Sequence, residues 1–396
     1  LTPQEWIVVV FVFAFGCCIG SFLNVVIYRL PREKSLVRPG SCCPHCGRPI
    51  RFYDNIPLLS WIILRAKCRQ CKAPISPRYF VVELLTGCTF LGLYLAYFHS
   101  SLRPVLHGLD GGWFVYLLHI TLLAAFIAGS GIDLELWIIP LSICWLVTAV
   151  GLIGSTIGEY VIYPQVIREY SLLPHASAGT GALALGGTLG LAISLLLLRT
   201  GLLKRSYEQE AEAHDQPAAD GANSGASASV PGGMYEDEGV NHRVEALREV
   251  VFLLPIILGA VLAYVVATRP GPVGAWWTRV VEYPAAGGFL GGLFGYFVGC
   301  GVVWATRVLG TLAFGKEAMG LGDVHLMGAA GAVVGPLMVV IAFFVAPFFG
   351  LSWALFQTFF KKTRQIPYGP FLSLAVLTVM VFQDWILNRV ALALYP

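Results

Sequence analysis

Charge is what this sequence has least of. Only 12% of its 396 residues are Asp, Glu, Lys or Arg, against 57% that are hydrophobic, and mean hydropathy is +0.72. A soluble domain carries roughly 25% charged residues, so the scarcity excludes a soluble globular protein. The ten-residue alternation of a membrane β-barrel is also missing. The apolar runs are instead about 20 residues long, the length a helix needs to cross a hydrocarbon core of roughly 30 Å. A net charge of +3 is too small to point to nucleic acid, and no such partner is expected. No small-residue cleavage site follows the first apolar run, which therefore reads as a retained span. The expected fold is an all-α polytopic membrane protein of about ten spans.

The few charges are unevenly placed. The first span runs from about Glu5 to Tyr28, and Arg29, Arg32, Lys34 and Arg38 follow it at once. Basic flanks stay in the cytoplasm, so residues 1–28 form an inward-running span and residues 29–78 a cytoplasmic module. That module holds eleven Lys or Arg, and only Glu33 and Asp54 as acids. It also contains two C-x-x-C knuckles, Cys43 to Cys46 and Cys68 to Cys71, separated by 21 residues. Each knuckle can offer two sulfurs to one ion from a tight turn, the pattern of a four-thiolate zinc site. A segment this short buries little core, so a metal would supply stability. Two disulfides are the competing reading, which the reducing cytosol disfavours. Cys42 is a spare, and Cys17, Cys18, Cys88, Cys144 and Cys300 lie in apolar runs as small hydrophobes.

Residues 79–205 read as membrane spans at about 79–98, 113–132, 137–157 and 176–198. Residues 206–247, rich in Glu, Asp, Ala, Gly and Ser with almost no aromatics, read as a disordered acidic linker. Residues 248–396 return to the membrane, with spans at about 250–267 and 285–309, then a short apolar piece, a longer run to about Phe360 and a last span at 370–387. Between the sixth and seventh, Trp276 and Trp277 read as interface anchors in an outer loop. The Gly-rich fifth and seventh spans look alike, through partial duplication or through ordinary close helix packing.

Two carboxylates stand at the ends of apolar runs. Asp323 closes KEAMGLGD, Lys316 to Asp323, and Asp133 lies in GIDLE, Gly131 to Glu135. The basic flanks put both on the cytoplasmic side. An acid at a membrane boundary is a functional candidate or a solvated loop end. Paired a few ångströms apart, two such acids share one proton and can activate a water, the chemistry of an aspartic protease. Gly320 and Gly322 would let Asp323 approach a second helix closely.

These residues carry a resemblance. GSFLNVVIYRLP (Gly20 to Pro31), CPHCGRPI (Cys43 to Ile50), the stretch from Asn55 to Cys71, ISPRYFVVELLTG (Ile75 to Gly87), Asp133, KEAMGLGD and IPYGPFL (Ile366 to Leu372) occur in that order. In this the chain resembles the type IV prepilin peptidases, the leader peptidase/N-methyltransferases of the GxGD aspartic class. The resemblance implies Asp133 and Asp323 as the catalytic pair, and Cys43, Cys46, Cys68 and Cys71 as a cytoplasmic zinc site. It implies cleavage of the short basic leader of type IV prepilins and pseudopilins after a glycine, at the cytoplasmic face of a bacterial inner membrane. It further implies methylation of the new N-terminus with S-adenosylmethionine, although no glycine-rich nucleotide loop is visible. The acids Glu83, Glu135 and Glu317 are candidates for holding the leader; helix-end or headgroup contacts are the alternative. Family members often carry Pro-Asp where Pro140 is followed by Leu141, and a Lys where this chain has His325, to which no role is given. The fifth and sixth spans with the linker look like an insertion into an eight-span layout. The rival readings are a GxGD protease with other membrane substrates, and a non-enzymatic transporter or assembly scaffold.

Overall fold

A computed structural model describes residues 2–100, 102–103, 106, 111–207, 241–360 and 367–394. Most of the acidic linker, residues 208–240, and the basic run 361–364 lie outside the described residues.

All ten apolar segments are helical. Among the described residues eight helices are long and apolar enough to cross a membrane, and a bent pair makes up to nine. They are α1 (Pro3–Arg29), α3 (Pro77–Phe98), α4 (Trp113–Leu136), α5 (Leu141–Val161), α7 (Ala178–Arg199), α8 (His242–Thr268), α10 (Pro284–Phe314) and α12 (Pro336–Phe360). The bent pair is α13 (Gly369–Val381) and α14 (Gln383–Leu394), which turn by 75°. The tenth segment, α11 (Leu321–Val334), has 14 residues and at 1.5 Å per residue spans only about 21 Å. The other α-helices among the described residues are the short α2 (Leu59–Ile63), α6 (Pro164–Tyr170) and α9 (Pro272–Glu282).

The ends follow local chemistry. Thr2 accepts from Glu5 N while the Glu5 carboxylate accepts from Thr2 N, a reciprocal cap on α1. Ser76 caps α3, with Pro77 at its first position. Some boundaries move from the sequence expectation. The linker was read to 247, yet α8 already begins at His242. The loop read around Trp276 and Trp277 contains α9, and Trp277 is buried with its Nε1 donating to Ala178 O at 2.8 Å. Only Trp276 stays exposed.

The short helix α11 sits at the centre, buried along almost its whole length. It is packed by α4, α5, α10, α12 and α13, so it needs neither lipid contact nor full length. At its far end, a Cβ placed on Gly335 would lie 3.9 Å from Pro174 Cγ in the segment after α6. That segment seals the same end of α13, where Gln383 Nε2 donates to Ser171 O at 2.7 Å. Arg103 donates there to Met380 O at 2.9 Å and pairs with Asp384 at 2.9 Å.

Helix α10 crosses α11 almost backbone to backbone. A Cβ placed on Gly295 would sit 2.0 Å from Gly331 O, and one on Gly331 would sit 2.1 Å from Gly295 O. The glycines of α7 serve the same purpose against α8, where Gly186 faces Gly259 O. Gly295→Val should therefore prevent the chain from accumulating in membranes, because backbone cannot yield as a flexible side chain can. Gly301→Ala, on the same helix with nothing within 4 Å of its Cβ position, should leave membrane abundance at wild-type level.

Candidate active site

Asp133 does not lie beyond its helix, as the span limits suggested, but in the last turn of α4, which Trp137 caps in the left-handed conformation (φ 59°). Asp323 falls in the first turn of α11. Both are buried, at 6% and 9% exposure, and both stand at the end of the bundle that carries the cysteine module. The backbone beside each acid packs on one residue to which the sequence assigns no role, Ile139 in the link between α4 and α5. The Cβ position of Gly369 lies 3.3 Å from Ile139 Cδ1, and that of Gly322 lies 2.8 Å from Ile139 Cβ.

The two carboxyls are held differently. Asp133 Oδ2 accepts from Gly369 N at 3.0 Å, at the start of α13. A side chain on Gly369 would meet that oxygen at 2.7 Å, so this glycine is required by proximity. Asp323 Oδ1 is buried without a hydrogen-bond partner, the mark of a group whose partner is not part of the fold.

The glycines before Asp323 are not equivalent. Gly320 has ordinary extended backbone (φ −72°, ψ 149°), and its Cβ position is 3.7 Å from Asp323 Oδ2, normal contact distance. Gly322 is the one pressed against Ile139. Gly322→Ala should lower unfolding stability by about 1–3 kcal/mol through overpacking, and Gly320→Ala by less than about 0.5 kcal/mol. Denaturation midpoints in detergent would separate them, and equal effects would remove the distinction.

The three acids considered for leader binding all have partners within the chain. Glu83 is buried and its Oε2 accepts from Leu58 N at 2.8 Å, tying the cysteine module to α3. Glu135 pairs with Arg78, and Glu317 with Arg307. The last two carboxylates keep 32% and 41% exposure, so they remain reachable from solvent. His325 donates to or accepts from Tyr296 Oη at 3.0 Å and lies against the Trp145 ring.

The four knuckle cysteines form one cluster, with all sulfurs within 4.8 Å of one another. The Cys43 and Cys71 sulfurs are 3.7 Å apart, too far for a disulfide. Tetrahedral coordination with metal–sulfur bonds near 2.3 Å puts sulfurs about 3.8 Å apart, so the cluster could hold a metal ion. The knuckles are near copies. Cys43 N donates to Arg48 O and Gly47 N to Cys43 O; Cys68 N donates to Ala73 O and Lys72 N to Cys68 O. Gly47 and Lys72 both take left-handed backbone, at φ 66° and 61°. Glycine adopts it freely, whereas Lys72 does so at a cost of roughly 1–2 kcal/mol. Backbone N–H groups of Cys71 and Gln70 hold the Cys68 thiol down to about 6, toward the thiolate form that binds metal. Arg48 donates to Gln70 Oε1 at 3.0 Å, and Arg69 grips Asp54 with two nitrogens.

A cavity of about 510 Å³ lined by Ile167, Ser171, His175, Glu282 and Pro336 lies at the other end of α11 and touches neither aspartate.

Comparison with known proteins bears on this geometry. Residues 14–97 match the bacterial peptidase A24 N-terminal domain. The prepilin leader peptidase/N-methyltransferase of Myxococcus xanthus (strain DK1622) is 48% identical over 134 residues, 34% of this chain and 36% of that protein. Both matches cover only part of this chain, the first residues 14–97 and the second 34% of it. The enzyme of the same name from Neisseria gonorrhoeae is 33% identical over 211 residues, 47% of this chain and 65% of that protein. The type 4 prepilin-like proteins leader peptide-processing enzyme of Escherichia coli O78:H11 is 45% identical over 139 residues, 30% of this chain and 46% of that protein. The chain thus spans less than two thirds of the length of the curated relatives it matches. No solved structure matches.

Sequence reasoning missed Ile139, Gly369, Arg307 and Glu249. Gly369 stood inside a quoted motif without a role. Arg307 and Glu249 carried a signal of their own, being charged residues inside apolar helices.

Proposed function

We propose that this chain is a membrane-embedded aspartic endopeptidase that cleaves the short basic leader of type IV prepilins and pseudopilins after a glycine. Its active site faces the cytoplasm across a bacterial inner membrane. What supports this reading is that Asp133 and Asp323, 190 positions apart in sequence, are both buried, with Gly369 at Asp133 and Gly322 beside Asp323 both packed on Ile139, at the end bearing the basic module. Paired carboxyls in a site this dry share a proton. The ionised one takes a proton from water while the neutral one polarises the scissile carbonyl. Asp323 Oδ1 is buried with no partner in the fold, so that water or carbonyl would reach it as the site opens to substrate. Leader lysines or arginines reach Glu135 and Glu317 by competing with Arg78 and Arg307; the buried Glu83 instead anchors the module.

Zinc is the metal proposed for Cys43, Cys46, Cys68 and Cys71, where it would lock two knuckles that have no core of their own. N-methylation of the new terminus by S-adenosylmethionine rests on the resemblance and on the relatives' names. The described residues form only two isolated β-bridges, both in the cysteine module. A strand-to-helix cradle for that cofactor has no counterpart among them, and no residue is assigned to it.

The direct experiment offers purified full-length chain in detergent a membrane-inserted prepilin precursor with a glycine-ended basic leader. The expected result is a single cut after that glycine. Intact precursor alongside cleavage of an unrelated transmembrane segment would instead make it a GxGD protease of other specificity.

A further inference from the structure

Helix α8 presents an anomaly. It is 27 residues long and apolar, yet its buried residues are Glu245, Ala246 and Glu249. A helix that faces lipid with its apolar side chains and buries carboxylates is committed to a polar partner. For Glu249 that partner is Arg307 of α10. The guanidinium Nε donates to Glu249 Oε1 at 3.0 Å and Oε2 at 3.1 Å, and Trp304 Nε1 donates to Glu249 Oε2 at 2.8 Å. Glu249 is 3% exposed and Arg307 2%. The Tyr207 ring covers the guanidinium at 5.3 Å, and Glu245 in turn accepts from Tyr207 N at 2.9 Å.

The other end of the same guanidinium reaches the loop that leads to Asp323. Arg307 Nη1 donates to Met319 O and to Glu317. The loop is pinned at two further points, by Ala318 N to Thr311 Oγ1 at 3.3 Å and by Gly315 N to Thr311 O at 2.9 Å. Met319 is two residues before α11 begins at Leu321. Asp323 has one carboxylate oxygen with no partner, so its position depends on how its backbone is held. The Arg307 fork is the strongest grip on that backbone.

We propose that Arg307 and Glu249 are a positioning pair for Asp323: the α7–α8 unit, through Glu249, orients the guanidinium that fixes the Met319 carbonyl and so the first turn of α11. This rests on the reading of Asp323 as half of the catalytic pair. A buried ion pair is weak evidence for stability, since an apolar replacement of both partners is often neutral or better. It is strong for geometry, because a planar fork satisfied on both sides allows one orientation. Helix α8 lies outside every stretch that carries the family resemblance, so the positioning contact comes from a segment the resemblance does not cover.

Three full-length variants test this in detergent-purified protein: Glu249→Gln, Arg307→Lys and, as a control on an exposed residue of the same helix, Leu247→Ala. Arg307→Lys keeps the charge and loses the fork; Glu249→Gln keeps size and frees the fork. A displacement on the order of 1 Å at a reacting group lowers rate about 100-fold. Cleavage kcat should fall about tenfold to 100-fold in both variants, with KM within about threefold of wild type. Amide hydrogen exchange of residues 316–322 should rise while that of the middle of α8 is unchanged, and Leu247→Ala should match wild type in both. Cleavage within about twofold of wild type in both pair variants, or a loss confined to KM, overturns the proposal. If Arg307→Lys fails to accumulate, Glu249→Gln decides. If wild-type chain cleaves no prepilin precursor, the function reading fails, and amide exchange still judges the pair: unchanged protection at 316–322 overturns it.

Discussion

Asp133→Asn and Asp323→Asn should each reduce cleavage of a prepilin precursor by about 1,000-fold while the protein inserts and accumulates normally. The reason lies in how each carboxyl is held. Asparagine matches aspartate in shape but can neither give up nor take up the shared proton. At position 133 its amide oxygen can still accept from Gly369 N, the contact that ties α4 to α13. At position 323 the fold supplies no partner to Oδ1, so nothing structural is lost there. Both folds should therefore survive, and the loss should appear in kcat rather than in KM. Because the two acids perform one task, the double variant should be no slower than the worse single one. Substantial cleavage by either single variant would exclude the dyad. A transporter or scaffold would show no cleavage to begin with.

Removing the metal should have the second large effect. Among residues 31–76, Cys43 is the only buried side chain. The module therefore has no hydrophobic core, and its two knuckles are joined to each other mainly through the sulfur cluster and the Arg48–Gln70 contact. Structural zinc in comparably small modules contributes on the order of 10 kcal/mol to folding. Purified protein should carry one zinc per chain by elemental analysis. Chelation, or Cys43→Ser with Cys71→Ser, should expose residues 44–75 to proteolysis while the helices of the bundle remain protected. The Asp54–Arg69 pair will not compensate, since it is largely exposed on the arginine side and surface ion pairs contribute little. A metal-free module that resists protease would rule out this account.

The separation of effects follows from the attachment points. The module meets the bundle through Leu58 N on Glu83, while Asn24 Nδ2 donates to Tyr79 O where α3 begins beside α1. The aspartates are held by α4, α11 and α13. Loss of zinc should accordingly loosen the module first and the catalytic end only through α1 and α3.

Much of this was legible in the residues. Low charge and runs of about 20 apolar residues required membrane helices, because unpaired backbone groups are not tolerated in hydrocarbon. The basic residues after the first span set one end of the bundle apart. Two knuckles at C-x-x-C spacing required a sulfur cluster, since each tight turn places its two thiols on one side. Asp133 and Asp323 could be picked out as acids at the ends of apolar runs. These properties depend on neighbours within a few residues, which a linear reading contains.

What the sequence could not contain were contacts set by helix rotation and depth. That Ile139 is wedged between Gly322 and Gly369, that Glu83, Glu135 and Glu317 are already engaged, and that Glu249 reaches Arg307 all depend on which faces α4, α8, α10, α11 and α13 turn to one another. Nor could length alone explain α11, a helix too short to cross by itself that is stable because protein surrounds it and the segment after α6 closes its far end. Local residue order dictates that a helix forms; side chains brought from more than a hundred positions away dictate where it sits and what it holds.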